Sequence, residues 1–298
     1  MNAGAVDSIL GCIVGGAIGD AVGAAFEGAE SVPPADVWLT DNSRRLTDDT
    51  QLTLATCEAL TQVGSPDPAA IAAACLRWFR EGRLTGLGAS TLKALRDLDA
   101  GAHWALAGRK GERAAGNGAA MRIAPLAFVV DPAQDESRRL IRDVCRITHH
   151  HDEAYAGALA VVLTVRAAAG RVCSLAQVAA ALPDTSVRDR LHVYAGLPST
   201  MPLTEVARRH GASGFLVESV PFALLAARRL GELGFTGLLE QVIAAGGDTD
   251  TNASLVGQIA GAALGLEGLP KDLVKDLPEA EMVLEITRAF AAAAVRPG

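Results

Sequence analysis

Residues 246–265 read GGDTDTNASLVGQIAGAALG, and residues 15–28 read GGAIGDAVGAAFEG. Both segments carry glycine at every fourth position, and residues four apart lie on the same face of a helix. Glycine on that face lets a second backbone approach closely, although it costs about 0.5–1 kcal/mol relative to alanine inside a helix. The pattern therefore predicts two central helices that pack tightly together through Gly15, Gly19, Gly23, Gly257, Gly261 and Gly265.

The rest of the chain also follows a helical pattern. Apolar positions recur with helical spacing over nearly the whole sequence, without strand-like alternation. Half of the residues are hydrophobic and only 4% are aromatic, so alanine, leucine and valine must fill the core. We predict an all-α fold in a single domain, residues 1–298. The predicted helices cover about 7–25, 48–63, 68–81, 90–99, 119–130, 136–148, 152–169, 174–182, 186–195, 203–210, 216–231, 236–245, 251–265 and 277–294.

The segment 9–26 is nearly apolar enough to span a membrane. Asp20 lies inside it, however, and a central aspartate costs about 2.5–3.5 kcal/mol on membrane-insertion scales. We therefore expect a buried core helix and no membrane association. The first eight residues, MNAGAVDS, contain no positive charge, so we expect no signal peptide.

Charge and cysteine content indicate the kind of partner and the compartment. The formal net charge is −7, and lysine and arginine form no concentrated run, whereas duplex nucleic acid requires a basic stripe. We therefore expect no binding to duplex nucleic acid. The five cysteines are scattered, odd in number and lack Cys-x-x-Cys spacing, which favours free thiols in a reducing cytoplasm.

Acidic residues flank the two glycine-rich helices. Asp20 and Glu27 are seven positions apart, which would place both on one face of the first helix. The segment LTDDT (46–50) opens the next helix, and GGDTDT (246–251) precedes the second glycine-rich helix. Taken singly, these segments are explained by helix capping, with Thr47 as an N-cap and carboxylates in the first helical turn.

Taken together, the acidic segments indicate a metal site. Clustered carboxylates repel one another unless cations neutralise them. The candidate ligands are all hard oxygens, which selects Mg²⁺, Mn²⁺ or Ca²⁺ over Zn²⁺. Two ions fit this set better than one, and a dinuclear site can hold and activate a water molecule. The set comprises Glu27, Thr47, Asp48, Asp49, Asp248, Asp250 and Thr251.

Three further motifs suggest contacts with a ligand. The segments TGLGAS (85–90) and AAGNGAAMR (114–122) are glycine turns that lead into predicted helices, so their N–H groups could face an anion. Ordinary helix-entry turns would look the same. The run THHHDE (148–153) lies at a helix–helix corner, where an imidazole could contact a base or a ribose. Adjacent histidines point in different directions, which disfavours a Zn²⁺ site.

These motifs, in this order, resemble those of the ADP-ribosylglycohydrolase family. The resemblance rests on GGAIGDAVGAAFEG (15–28), LTDDTQLTLA (46–55), GNGAAMR (116–122), ITHHHDEAYAGA (147–158) and the segment 246–265. It implies a compact, orthogonal multi-helix fold with a central dinuclear cleft holding two Mg²⁺, or Mn²⁺, ions. It also implies hydrolysis of the glycosidic bond between ADP-ribose and a modified acceptor, with a protein side chain such as arginine or serine as the expected acceptor.

The resemblance also implies roles for individual residues. Thr47, Asp48, Asp49, Asp250 and Thr251 match metal ligands, and Asp248 matches a bridging or water-holding group. Glu27 matches a metal-proximal glutamate that serves as ligand and general base, so Glu27 and Asp248 are the candidate catalytic residues. The predicted ADP-ribose contacts are Gly86, Gly88, Ala89, Asn117, Gly118, Met121 and His149.

The sequence departs from family patterns at two places. Ala114 and Ala115 stand where some relatives have a serine before the Gly-Asn-Gly turn, which removes one hydroxyl contact to phosphate. Gly86-Leu87-Gly88 stands where arginine-specific bacterial members often have Asp-Ile-Gly, which weakens the case for arginine as the acceptor.

Two other functions stay open at this point. A catalytically silent, crystallin-like member of the family would need no turnover, although the acidic set in this chain is complete. A dinuclear phosphohydrolase that cuts a nucleotide diphosphate would use similar metals. Product analysis separates the three, since free ADP-ribose, no product, and AMP are their respective outcomes.

Overall fold

The computed structural model describes residues 3–29, 44–170 and 174–295. Over these residues the chain is built from α-helices, and the prediction of an all-α fold is confirmed. The helices are α1 (Ala3–Gly23), α2 (Asp48–Val63), α3 (Pro68–Arg80), α4 (Ala89–Asp99), α5 (Asp135–Arg146), α6 (Asp152–Ala169), α7 (Leu175–Ala181), α8 (Ser186–Ala195), α9 (Leu203–His210), α10 (Leu216–Ala227), α11 (Leu230–Ala244), α12 (Thr249–Leu264), α13 (Lys271–Lys275) and α14 (Ala280–Ala294). Two short parallel strands, β1 (Arg109–Lys110) and β2 (His149–His150), pair with each other.

Helices α1 and α12 form the centre of the fold and contact each other through their backbones. A Cβ atom added to Gly15 would overlap the carbonyl oxygen of Gly257, and one added to Gly257 would overlap that of Gly15. Gly11 and Gly261 face each other in the same way. Since residue numbers rise along one helix as they fall along the other, the two helices are antiparallel. The predicted packing of two glycine-rich helices is confirmed.

The antiparallel packing joins the end of α1 to the beginning of α12. Gly23, the last residue of α1, lies against the backbone of Thr249, the first residue of α12. The hydroxyl of Thr249 donates a hydrogen bond of 2.9 Å to the carbonyl oxygen of Gly23. The acidic segments that follow α1 and precede α12 are therefore neighbours in space.

Helix α1 is long and apolar enough to cross a membrane by length and composition. In the structure, however, 78% of its most apolar window is buried inside the protein. Even Asp20 is completely buried, and its carboxylate is fully hydrogen-bonded by neighbouring residues. Helix α1 is therefore a buried core helix, as the sequence predicted.

The predicted helix at 119–130 is wrong. The segment instead forms two 3₁₀ turns, Asn117–Ala119 and Ala124–Phe128. The buried guanidinium of Arg122 donates to the carbonyl oxygen of Gly118, which an α-helix would have used for its own ladder. Pro125 has no N–H to donate and disfavours the α conformation in the residue before it. The single-domain organisation over residues 1–298 stays a prediction.

Helix boundaries also differ from prediction in the last third of the chain. The helix predicted at 216–231 ends at Ala227, and α11 begins at Leu230 with a break at Gly234, where φ is 65°. Helix α13 was not predicted, because five residues between turns give too short a periodic signal.

The backbone contact between α1 and α12 should make the glycines there irreplaceable. Replacing Gly257 by leucine forces the helices apart, and we expect unfolding in urea to show a loss of about 3 kcal/mol or more, at the upper end of overpacking penalties. Gly231→Ala in α11 is the control, since a Cβ there meets open space; it should be neutral or stabilising by up to about 1 kcal/mol. Equal stabilities for the two variants would contradict the packing described here.

Candidate active site

The helix ends meet at a cleft of about 490 Å³, a size typical of small-molecule sites. Helix α1 ends beside it, and α2 and α12 begin there. Thirteen of the fourteen residues predicted from the sequence line this cleft: Glu27, Asp48, Asp49, Gly86, Gly88, Ala89, Asn117, Gly118, Met121, His149, Asp248, Asp250 and Thr251. The fourteenth, Thr47, is buried and hydrogen-bonded to Asp49. The structure thus brings the set together, while the role of each residue stays a prediction.

Asp20, which the sequence analysis did not place in the site, connects α1 to α2. Its carboxylate accepts hydrogen bonds from the N–H and hydroxyl of Thr47, at 3.0 and 2.6 Å. It also accepts them from the N–H and hydroxyl of Thr50, at 3.2 and 2.5 Å. Four donors satisfy both oxygens, so Asp20 holds the first turn of α2 in place. In the sequence, the sign of this role was a single carboxylate among the apolar residues of a central helix.

Thr47 is the N-cap of α2, as predicted from the sequence. Its backbone is extended, and its hydroxyl accepts the N–H of Asp49 at 3.4 Å. Capping therefore explains Thr47 but leaves the carboxylates of Asp48 and Asp49 available to the cleft. By contrast, Asp248 precedes α12 but makes no capping hydrogen bond with the described residues.

Asp49 and Asp250 form the floor of the cleft. Asp20, Asp49 and Asp250 each offer a carboxylate oxygen within 4.8 Å of the other two. Asp49 Oδ2 accepts the hydroxyl of Thr251 at 3.2 Å, whereas its buried Oδ1 has no hydrogen-bond partner among the described residues. Because the oxygens of Asp20 are already filled by four donors, Asp49 and Asp250 are the better ligands for a cation.

The electrostatics of this floor favour bound cations. Burial, and then the charge of Asp20, raises the pKa of Asp48 to about 8. Burial, and then a hydrogen bond with Asp248, raises the pKa of Asp250 to about 9. Burial also raises the pKa of Asp49 well above its usual range. No lysine or arginine of the described residues lines the cleft. Hard oxygen donors, an orphaned Asp49 oxygen and mutual repulsion together fit a hard divalent cation.

Asp248 is oriented by a buried chain of hydrogen bonds. The amide of Asn117 donates to Asp248 Oδ2 at 2.8 Å and to the hydroxyl of Ser219 at 3.1 Å. The hydroxyl of Ser219 in turn donates to Asn252 at 2.8 Å. Both amide protons of Asn117 are therefore used inside the protein, and its side chain positions Asp248. The sequence analysis did not assign a role to Asn252, although it lies in the motif 246–265, or to Ser219, which lies within α10 and outside every quoted motif.

The first glycine loop is coupled to the acidic floor. The N–H of Gly88 hydrogen-bonds to Asp48, and Gly86 adopts a φ of 78° that favours glycine. Gly88 occupies the N-cap position of α4, and Ser90 lies in its first turn. Ser90 and Thr91 line the cleft and were not predicted to do so.

His149 lies buried against the second glycine loop. A Cβ added to Gly118 would lie 3.0 Å from its Cε1 atom. Arg122 donates to the hydroxyl oxygen of Thr148 at 2.8 Å, so that hydroxyl is free to donate to His149 Nδ1, also at 2.8 Å. Nε2 then carries the ring proton. Burial, helped by the charge of Arg122, lowers the pKa of His149 to about 3, so the ring is neutral at physiological pH.

Glu27 differs from its predicted setting. Helix α1 ends at Gly23, so Glu27 lies in the following turn and does not share a helical face with Asp20. It is exposed, lines the cleft and adds to the repulsion that raises the pKa of Asp250. The opposite wall, which the sequence analysis also missed, comes from Ser213 and Gly214. A Cβ on Gly214 would lie 2.9 Å from Asp248 Oδ2, so a side chain there would disturb that carboxylate.

The raised pKa values predict how pH affects stability when metal is removed. A carboxyl group with a raised pKa keeps its proton in the folded state after the unfolded chain has lost it, so stability falls as pH rises from about 4 toward 8–9. We expect the chelated protein to lose roughly 5 °C or more in Tm between pH 5 and 8.5. Saturating Mg²⁺ should remove most of this loss, since metal binding competes with protons. A Tm that rises with pH in EDTA would contradict this account.

Comparisons with known proteins agree with this geometry. A family model described as ADP-ribosylglycohydrolase matches residues 1–297. An uncharacterized protein of Archaeoglobus fulgidus is 28% identical, over 84% of this chain and 86% of its own length. The ADP-ribosylarginine hydrolase Tri1 of Pseudomonas putida is 26% identical, over 95% and 78% respectively.

A solved structure shows the same fold. The chain described as an ADP-ribosylglycohydrolase-related protein complex superposes with a TM-score of 0.73 and 27% identity, covering 98% of this chain and 99% of that chain. The family match and the relatives indicate an ADP-ribosyl hydrolase. The motifs, the shared fold and a family match along nearly the whole length show that this chain belongs to the ADP-ribosylglycohydrolase family.

Proposed function

We propose that the protein hydrolyses the glycosidic bond at ribose C1″ of ADP-ribosylated acceptors, in a reaction that depends on Mg²⁺ or Mn²⁺. The observation that carries this proposal is the buried, unpartnered Asp49 Oδ1 at the floor of a cleft crowded with carboxylates. Such an arrangement is unstable as a purely structural feature, because desolvated like charges repel. Family membership directs the interpretation toward ADP-ribose.

The cations would be held by the oxygens of Thr47, Asp48, Asp49, Asp250 and Thr251, with Glu27 and Asp248 beside them. When bound, a metal pair would fix the ribose hydroxyls and a water molecule and stabilise developing negative charge. Asp20 fixes Thr47 and Thr50, and the hydroxyl of Thr47 accepts the N–H of Asp49, which supports a preformed binding site.

Glu27 is the proposed general base. It is exposed at the cleft, in a turn that gives its carboxylate freedom to reach the attacking water and accept its proton. Asp248, oriented by Asn117, would hold that water in line. The bond between C1″ and the acceptor heteroatom breaks, the acceptor leaves with the electron pair and takes up a proton, and the water oxygen bonds to C1″. The products are ADP-ribose and the free acceptor.

The substrate would be bound by neutral donors. The Nε2–H of His149 and the backbone N–H groups at the start of α4 and in the Gly-Asn-Gly turn lie along the cleft, which supports binding of the nucleotide and its diphosphate. Since the described lining contains no lysine or arginine, the metals would supply the positive charge.

A modified protein side chain, arginine or serine, is the proposed acceptor. A relative named as an ADP-ribosylarginine hydrolase supports arginine. Against arginine stands the Gly86-Leu87-Gly88 loop, which lacks the acid that arginine-specific bacterial relatives often carry there. The compartment we propose is the cytoplasm, because the thiols of Cys12, Cys57, Cys75 and Cys145 are free and buried.

Substitutions should separate metal binding from proton transfer. Asp49→Ala and Asp250→Ala each remove a proposed ligand oxygen, so metal affinity and activity should fall together. Glu27→Gln should keep most ADP-ribose binding while kcat drops about 10²- to 10⁴-fold, as expected for loss of a general base. Calorimetry and turnover of ADP-ribosylated arginine and serine peptides provide the readouts. Unchanged metal affinity in Asp250→Ala, or full turnover in excess EDTA, would refute the assignment; release of AMP would indicate a phosphohydrolase.

Binding of the product ADP-ribose should depend on metal more than on salt. Without metal, the cleft repels the diphosphate, so affinity should fall sharply in the chelated protein. Added NaCl should weaken binding only modestly, because few lysine or arginine charges are involved. Titration with and without Mg²⁺ over a range of NaCl checks both expectations. Equal affinity in the two states, or a steep dependence on salt, would mean that the ligand lies elsewhere.

A further inference from the structure

A second pair of cavities lies along helix α5, outside the cleft. One cavity, of about 240 Å³, lies between α5 and the beginning of α6, and the other, of about 270 Å³, continues along α5. Arg142 and Tyr155 line both, so the two cavities adjoin. We call this continuous depression the α5 groove.

The α5 groove is positively charged in an acidic protein. Arg138, Arg142 and Arg146 are four residues apart on one face of α5, and Arg139 adds a fourth guanidinium. Asp135 and Asp152 are the carboxylates in the described lining, so four arginines face two aspartates. The chain as a whole has a formal charge of −7. Because most of these arginines are spaced four residues apart, the patch does not form a long run of basic residues in the sequence.

The arginines of the groove make weaker contacts with carboxylates than several arginines elsewhere in the protein do. Arg80, Arg188 and Arg208 each lie within 2.7 Å of a carboxylate oxygen. In the groove, Arg138 donates to backbone carbonyls, and Arg146 is 3.9 Å from Asp143.

Arg142 is the clearest case of an unpaired arginine. Its buried Nε atom has no hydrogen-bond partner among the described residues, and no ion pair to it is seen in that part of the chain. A charged, buried donor without a partner is unfavourable, and an anion bound to the same guanidinium would offset that cost.

The groove is adjacent to the cleft but distinct from it. His149 lines both, and it is 3% exposed, so it separates the two spaces. His151 caps α6 at the groove end by accepting the N–H of Glu153 at 3.1 Å. The positive end of the α6 dipole adds to the potential of the arginines there. Tyr155, half-buried between the two cavities, offers an aromatic surface beside Arg142.

We propose that the α5 groove is a second anion-binding site, which takes a phosphate group independently of the ADP-ribose in the cleft. Planar guanidinium groups match phosphate oxygens with paired hydrogen bonds. The phosphate could be free, or it could be carried on a nucleotide whose base contacts Tyr155. This site does not depend on the proposed hydrolase activity.

Calorimetric titration of the full chain with inorganic phosphate and with 5′-AMP tests the proposal. The titration is run with Mg²⁺ and repeated in EDTA, which removes any contact of the phosphate with metal in the cleft. We expect saturable phosphate binding in both conditions, weakening steeply with NaCl. Arg142→Ala and Arg146→Ala should each weaken it about 10- to 100-fold, as for a lost charged hydrogen bond. Arg209→Ala, which removes an exposed arginine outside the groove, is the matched control and should leave it unchanged.

The two probes distinguish the source of the phosphate. Equal affinity for phosphate and 5′-AMP indicates a site for free phosphate. If 5′-AMP binds more tightly than phosphate, and this difference is lost in Tyr155→Ala but kept in Tyr155→Phe, the ligand is a nucleotide. ADP-ribose affinity at the cleft, measured with Mg²⁺, shows that the Arg142→Ala variant is folded. Absence of saturable binding, or unchanged affinity in folded Arg142→Ala, would overturn the proposal.

Discussion

The backbone-to-backbone contact between α1 and α12 is the constraint on which the rest of the structure depends. Gly15 and Gly257 lie so close to the facing backbone that no side chain fits between the helices. The contact therefore holds only while the two helix axes stay close together. Because the helices are antiparallel, the contact fixes Gly23 against Thr249 and joins the two ends that carry acidic turns. Asp20, from the same helix, then holds α2 in place. Helix packing thus brings the acidic residues of the cleft together, and the loops supply the rest of its lining.

This packing creates an electrostatic cost within the protein. Burial raises the pKa of Asp48 and Asp250 to about 8 and 9, because carboxylates are forced together away from water. Burial raises the pKa of Asp20 too, but its four hydrogen bonds counteract part of that effect, whereas Asp49 keeps a buried oxygen without a partner in the described chain. Without cations, this repulsion lowers the stability of the folded protein. Such a loss of stability is common at sites where binding or catalysis depends on a strained arrangement.

Features with a local signal could be predicted from the sequence, and features set by long-range packing could not. Helical periodicity and the glycine repeats predicted α1, α12 and most other helices. The acidic motifs, the two glycine turns and the histidine run together identified thirteen of the nineteen residues that line the cleft. The segment 119–130 was misread because the side chain of Arg122 takes the carbonyl oxygen of Gly118 and Pro125 interrupts the helical ladder. Asp20 and Ser219 act through partners about 30 and 100 positions away along the chain, so local spacing does not reveal their roles. Likewise, the arginines of α5 form a groove only after folding.

The central claim is that the packed ends of α1, α2 and α12 create a binding site for two divalent cations. Anomalous diffraction from crystals soaked in Mn²⁺ tests it most directly, because it locates the ions without reference to activity. The account predicts two peaks about 3.5–4 Å apart, as in other dinuclear sites, between Asp49 and Asp250 on the floor of the cleft. No peak there at saturating Mn²⁺, or peaks confined to exposed carboxylates elsewhere, would contradict it.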